Sequence, residues 1–171
     1  DAGSGDDSLF IDELDTSVIG GLGFDRVTVS GAAGAIDLNL FMGEIEYVSA
    51  TTSTFDNMFN ATGATWDVTI YGGSGDDTIT GGNGNDTLNG NSGDDLIIGN
   101  GGNDKLNGGL GTDTVSFVTA GSSVNVNLTT KKAAGGAGND VLNAFENVLG
   151  SNFDDYIKGD AGNNTLDGLG G

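Results

Sequence analysis

Between residues 72 and 116 apolar side chains return at one fixed place in a nine-residue period. Cut into nines, the segment reads GGSGDDTIT, GGNGNDTLN, GNSGDDLII, GNGGNDKLN and GGLGTDTVS. The eighth position is always aliphatic: Ile79, Leu88, Ile97, Leu106, Val115. Its neighbours at seven and nine are polar, except Leu96 and Ile98 in the third unit. Polar–apolar–polar predicts a three-residue strand with one side chain turned inward. The first six positions predict a turn, with Gly always at one and four and Asp always at six. Asn91 and Asn100 replace Gly at position two, and Asn best tolerates a positive φ. Nine residues thus make one turn and one strand. Two nines make one coil of a flattened helix with parallel strands on two faces.

The period extends beyond the centre. AGSGDDSLF (2–10), IDELDTSVI (11–19) and GGLGFDRVT (20–28) are consecutive nines, with Leu9, Val18 and Val27 at position eight. Asp7 and Asp25 fill position six in the outer two; the middle unit lacks glycines and predicts a turn without metal. At the other end GSNFDDYIK (150–158) and GDAGNNTLD (159–167) are degraded copies, with Phe153 at position four and Asn164 at position six. Glu146 lies eighteen residues before Asn164 and takes the acidic place of its own turn.

A longer repeat overlies the nines. Residues 20–40 align without gaps to 108–128, and each is followed by a similar phrase, IEYV (45–48) and FENV (145–148). The chain therefore reads as one continuous all-β solenoid over 1–171. Its parts are nonapeptides at 2–28, glycine-poor wider coils at 29–71, a central roll at 72–116, glycine-poor coils at 117–149 and degraded repeats at 150–171. The wider coils alternate as strands do, with Ile36, Leu38, Leu40, Val124, Val126 and Leu128 as their expected core. Phe41, Phe55, Phe59 and Trp66 either cap that core or offer a ligand surface; the core reading is preferred. The chain begins and ends inside a repeat, which reads as a fragment of a longer protein.

Composition narrows the chemistry. The 171 residues include 33 Gly, 25 acidic and 5 basic side chains, giving a net charge of −20. That balance argues against nucleic acid, whose phosphates need Lys and Arg, and against anionic membranes. No apolar run reaches the ~20 residues that span a bilayer. There is no Cys and no His. Disulfides, thiolate sites, most nucleophilic triads and the usual zinc sites are thereby excluded. The fitting partner is a cation.

The spacing suggests how a cation is held. Nonapeptides eighteen residues apart stack, so Asp77 lies over Asp95, Asp95 over Asp113, and Asp86 over Asp104. Strands in register are roughly 4.8 Å apart, and carboxylates that close repel unless a cation sits between them. Calcium takes 6–8 oxygens at about 2.3–2.6 Å. Two Asp side chains and the carbonyls of two glycine-rich turns supply that number. An EF-hand would need a Glu at loop position twelve, and a phosphate loop a following helix; neither occurs.

GGxGxD followed by x, an aliphatic residue and x resembles the repeats-in-toxin (RTX) family, closely at 72–116, well at 2–10, 20–28 and 135–143, and partly at 150–167. The resemblance implies a right-handed parallel β-roll carrying several calcium ions. It implies ligand carbonyls from positions one to four. These are Gly72, Gly73, Ser74 and Gly75; Gly81, Gly82, Asn83 and Gly84; Gly90, Asn91, Ser92 and Gly93; Gly99, Asn100, Gly101 and Gly102; Gly108, Gly109, Leu110 and Gly111. The carboxylates would come from Asp77, Asp95, Asp113, Asp86 and Asp104, with a further ion between Asp7 and Asp25. Asp140 with Asp155 is the weakest pair, at a spacing of fifteen.

One inward side chain per nine cannot offset the entropy of ordering nine residues. The expectation is a chain unfolded without calcium and folded with it, serving an exported, non-enzymatic module. The family resemblance implies export by type I secretion from a Gram-negative bacterium, to the cell surface or the medium. The alternative is an adhesive or surface-assembly module that self-associates or binds glycans. Leu96 and Ile98 mark its contact strip.

Overall fold

The computed structural model describes residues 2–12, 18–30, 34–40 and 44–171. Phe41 and much of the unit 11–19 lie outside the described residues. Those described form nineteen strands and no helix, arranged as a parallel β-solenoid of about nine turns.

The two faces are a ten-stranded and a seven-stranded sheet. Alternate nonapeptides go to opposite faces. Thr87–Ser92 pairs in parallel with Lys105–Leu110, Leu88 beside Leu106. Leu96–Ile98 pairs with Thr78–Thr80 and Thr114–Ser116, Ile97 beside Ile79 and Val115. The eighth-position side chains therefore meet in the interior, and Ile79, Leu88, Ile97, Leu106 and Val115 are all buried.

The coils leading through 29–71 are longer than eighteen residues. Their parallel strands pair at a spacing of twenty-one or twenty-two residues, Arg26 with Tyr47 and Tyr47 with Thr69. Ile36, Leu38, Leu40, Val124, Val126 and Leu128 are in the core. Phe59 is fully buried and Trp66 packs partly buried against the core, whereas Phe55 stands exposed.

The block 117–149 departs from a simple wider coil. Val124–Asn127 and Lys132–Gly135 form an antiparallel hairpin, and Lys132–Gly135 is also antiparallel to Gly138–Asn143. The chain reverses twice before resuming the solenoid, so Gly138–Asn143 stacks on Lys105–Leu110, thirty-six residues back. A hairpin satisfies its own ladder, which lets the insertion ride within the sheet.

Charge is divided between the faces. Arg26, Lys105, Lys132 and Lys158 lie on strands of the ten-stranded sheet and Lys131 in its hairpin turn. These are all the cations of the chain. All three tyrosines, Tyr47, Tyr71 and Tyr156, lie on the same sheet. The Arg26 guanidinium sits 4.4 Å over the Tyr47 ring, and Tyr47 and Tyr71 are 5.9 Å apart. Asn89, Asn107 and Asn143 form a side-chain ladder beside them.

Candidate metal centre

The position-six carboxylates form two columns, one along each face. Leading into the seven-stranded sheet, the N–H of Asp77 donates to Oδ1 of Asp95 at 2.7 Å. Asp95 donates to Asp113 at 2.9 Å. Asn57 precedes them, donating through both its N–H and Nδ2 to Asp77 Oδ1. Leading into the ten-stranded sheet, Asp7 donates to Asp25 at 3.0 Å, Asp86 to Asp104 at 2.8 Å and Asp104 to Asp140 at 3.0 Å. Val68 occupies the place before Asp86 and donates to it. One carboxylate oxygen is thus fixed by the neighbouring coil, and the other is left to face the space between coils.

Those second oxygens are the chemically unusual atoms. Oδ2 of Asp7, Asp25, Asp77, Asp95, Asp104 and Asp113 is buried without a hydrogen-bond partner. Asp86 differs, its Oδ2 accepting the Gly82 N–H at 2.7 Å. Leaving such an oxygen buried and unpaired is costly. Burial raises Asp77, Asp86, Asp95, Asp104, Asp113 and Asp140 above the ordinary carboxylate value, opposed by the N–H bonds they accept. Asp77 rises to about 7 and Asp104 to about 8. Asp86, Asp95 and Asp140 rise to about 6.

The glycines shape the same space. A methyl group on Gly72, Gly81 or Gly90 would collide with the Asp Oδ2 of its own turn. The same methyls would stand 2.8, 2.7 and 2.7 Å from the carbonyls of Gly90, Gly99 and Gly108. Each position-one carbonyl therefore borders the cleft that holds the preceding carboxylate. Asn91 and Asn100 have φ of 80° and 67°, the left-handed conformation for which Asn substitutes best. Some of the expected carbonyls already accept a bond, Gly81 from Asn100 Nδ2, Gly82 from Gly101 and Leu110 from Gly93. Each keeps a second lone pair.

Four copies of the RTX calcium-binding nonapeptide repeat match the sequence, at residues 67–88, 80–115, 133–147 and 145–171, together just over half of the chain. The chain belongs to the RTX calcium-binding repeat family. No curated protein sequence matches it. The RTX β-solenoid is a structural, calcium-binding fold, and the clefts suit that ion. Among the described residues no three carboxylates converge on one point. A cation between the coils would need further oxygens beside the carboxylates, from backbone carbonyls or water, and an all-oxygen shell is what calcium prefers.

One expected pair does not form. Asp140 and Asp155 are separated in the ten-stranded sheet by the hairpin strands Lys132–Gly135 and Val124–Asn127, roughly 14 Å at the usual strand spacing. Asp140 joins the column of Asp86 and Asp104 instead. Asp155 faces Val124, accepting its N–H at 2.9 Å and the Ser151 hydroxyl at 2.7 Å. Burial acts to raise its pKa, but these donors outweigh it and hold the carboxyl below the ordinary value. Asn164 donates through Nδ2 to the Glu146 carbonyl, and its Oδ1 accepts the Asp160 N–H, a neutral end to its column.

Two acidic residues join the columns from the glycine-poor turns. Asp25 donates to Glu46 at 2.7 Å, and Asp113 to Glu146 at 2.9 Å. Glu146 was legible from its spacing. Glu46 was not singled out, although the matching phrases IEYV and FENV carried the signal. Leu96 and Ile98 lie side by side with Thr78, Thr80 and Thr114 on the seven-stranded sheet, half-buried.

Proposed function

We propose that this chain is a calcium-loaded structural module of a secreted or cell-surface protein, one that folds when it meets calcium outside the cell. The unpartnered, buried Oδ2 atoms of the stacked Asp residues carry this reading, because without a counter-ion they oppose the fold. Calcium would sit between turns 72–77 and 90–95, 81–86 and 99–104, and 90–95 and 108–113, with another ion at Asp7 and Asp25. Aspartate side chains and position-one to position-four carbonyls would provide the shell. Low cytosolic calcium would keep the chain unfolded for export by type I secretion from a Gram-negative bacterium. Extracellular sites of roughly 10⁻⁴–10⁻³ M affinity suit that switch. The module itself has no catalytic role in this reading.

Circular dichroism during a calcium titration tests it. A β-rich spectrum that appears with calcium and collapses with chelator supports the reading; a spectrum indifferent to chelator sinks it.

The second reading is adhesion or surface assembly. It is favoured by the segregation of every cation and every tyrosine to one sheet, with the uncharged Leu96 and Ile98 strip on the opposite one. Aromatic rings beside Lys, Arg and an Asn ladder match an acidic glycan. Light scattering of the calcium-loaded protein, with and without an acidic polysaccharide, tests this. A monomer that ignores the polysaccharide rejects it.

A further inference from the structure

The turn 144–146 does the work of a glycine-rich turn with half the residues. From Asn107 to Thr114 the chain passes through the six residues 108–113. The stacked coil goes from Asn143 to Asn147 through only Ala144, Phe145 and Glu146. The substitution is complete at both ends. A methyl on Gly108 would run into the Ala144 carbonyl, as one on Gly90 runs into the Gly108 carbonyl. The Asp113 N–H finds the Glu146 carboxylate as the Asp95 N–H finds Asp113. Ala144 thus replaces the position-one carbonyl and Glu146 the position-six carboxylate. The additional methylene of Glu makes up the reach that the shorter turn loses.

The turn is held in a costly conformation. Ala144 has φ 53°, and Phe145 behind it is buried. The same features recur once, around Glu46: Glu44 has φ 49°, Ile45 is fully buried, and Glu46 accepts the Asp25 N–H. Non-glycine residues adopt this φ only where the surroundings demand it. In both places the facing Asp is wholly buried, and its Oδ2 has no partner. Glu146 also borders a cavity of about 130 Å³ with Ala144, Lys131 and Asp160. That cavity is polar and roomy enough for water to complete a coordination shell. The Lys131 ammonium is tied to Asn143 Oδ1 at 2.6 Å.

We propose that Asp113, Glu146 and the Ala144 carbonyl hold a divalent, oxygen-seeking cation, calcium, between a glycine-rich turn and a short glutamate turn. The site rests on the calcium reading of the stacked aspartates but is built differently from a pair of nonapeptides. It carries the ion column of the central roll across a thirty-three-residue interruption. The Asp25–Glu46 pair shares its buried carboxylate and its glutamate acceptor.

Native mass spectrometry and calorimetry with calcium chloride test the site in the full chain. Glu146→Gln keeps an oxygen for the Asp113 N–H and removes the charge. The expected result is one calcium fewer than wild type, or one site weakened at least tenfold, with a calcium-loaded dichroism spectrum unchanged. Glu146→Asp keeps the charge, loses the reach and gives the same deficit, which guards against a folding failure of the first variant. Wild-type stoichiometry and affinity in both variants overturn the proposal. A wild-type chain that binds no calcium overturns the aspartate sites as well, so the two failures are distinguishable.

Discussion

The backbone N–H of Asp77 donates to Oδ1 of Asp95, 2.7 Å away and eighteen residues further along the chain. One carboxylate oxygen is thereby spent on stacking the coils, and the other is buried without a hydrogen-bond partner. Asp95 sits between two clefts, one shared with Asp77 and one with Asp113. Replacing it with Asn should weaken both. The calcium concentration at half-folding should rise roughly tenfold or more, the equivalent of about 1.4 kcal/mol or above. Asp167→Asn should leave it nearly unchanged, since Asp167 is exposed and its carboxylate accepts the nearby Leu169 N–H in its own turn. Equal midpoints for the two variants, read by circular dichroism, would contradict the eighteen-residue register.

Gly90→Ala probes the cleft rather than the backbone. Gly90 does not have a positive φ, so Ala is conformationally allowed there. Its methyl would nevertheless reach Asp95 Oδ2 and the Gly108 carbonyl. Calcium affinity should fall about as far as in Asp95→Asn, measured by calorimetry. An alanine variant with wild-type affinity would mean that the cleft is not the ion's place.

The raised carboxyl pKa values fix the sign of the pH dependence. A carboxyl whose folded pKa lies above its ordinary 3.8, as for Asp77 at about 7 and Asp104 at about 8, favours the fold while protonated. The metal-free coil should be most ordered near and below pH 4. It should lose order as pH rises through 6 to 8. Calcium affinity runs the other way and should increase across the same window, because the ligands must be ionised. Dichroism in chelator at pH 4.5 and pH 8, repeated with calcium, checks both directions. A metal-free chain that becomes more ordered at pH 8 refutes the argument.

Ile97 tests the packing of the roll. It is fully buried between Ile79 and Val115. Ile97→Ala should cost about 2–5 kcal/mol through lost contacts and a cavity, seen as a lower Tm of the calcium-loaded protein. Leu96→Ala, on the half-buried outer face, should cost less.

The central roll was legible because its information is local. Every nine residues supply their own turn, their own inward side chain and their own carboxylate, so counting alone pairs Asp77 with Asp95 and Asp86 with Asp104. The glycine-poor turns resisted because their ligand-like residue changes from Asp to Glu and the glycines vanish. The eighteen-residue spacing to Asn164 still marks Glu146, but only the shared phrases IEYV and FENV hint at Glu46.

The sequence by itself determined the period, the inward positions, the family and the kind of ion, since each follows from residue types at fixed spacing. Tertiary structure decided which turns meet once the period is broken. In sequence Asp140 closes a complete GGAGND motif, and its neighbour in the count is Asp155; in the fold those residues instead close the antiparallel hairpin of Lys132–Gly135 and Gly138–Asn143. The hairpin of Val124–Asn127 and Lys132–Gly135 fills the sheet between them. It sends Asp140 back thirty-six residues to Asp104. The reason is physical: a strand pairs with whatever backbone edge lies open when it arrives, and an antiparallel excursion changes that edge without altering the repeat itself.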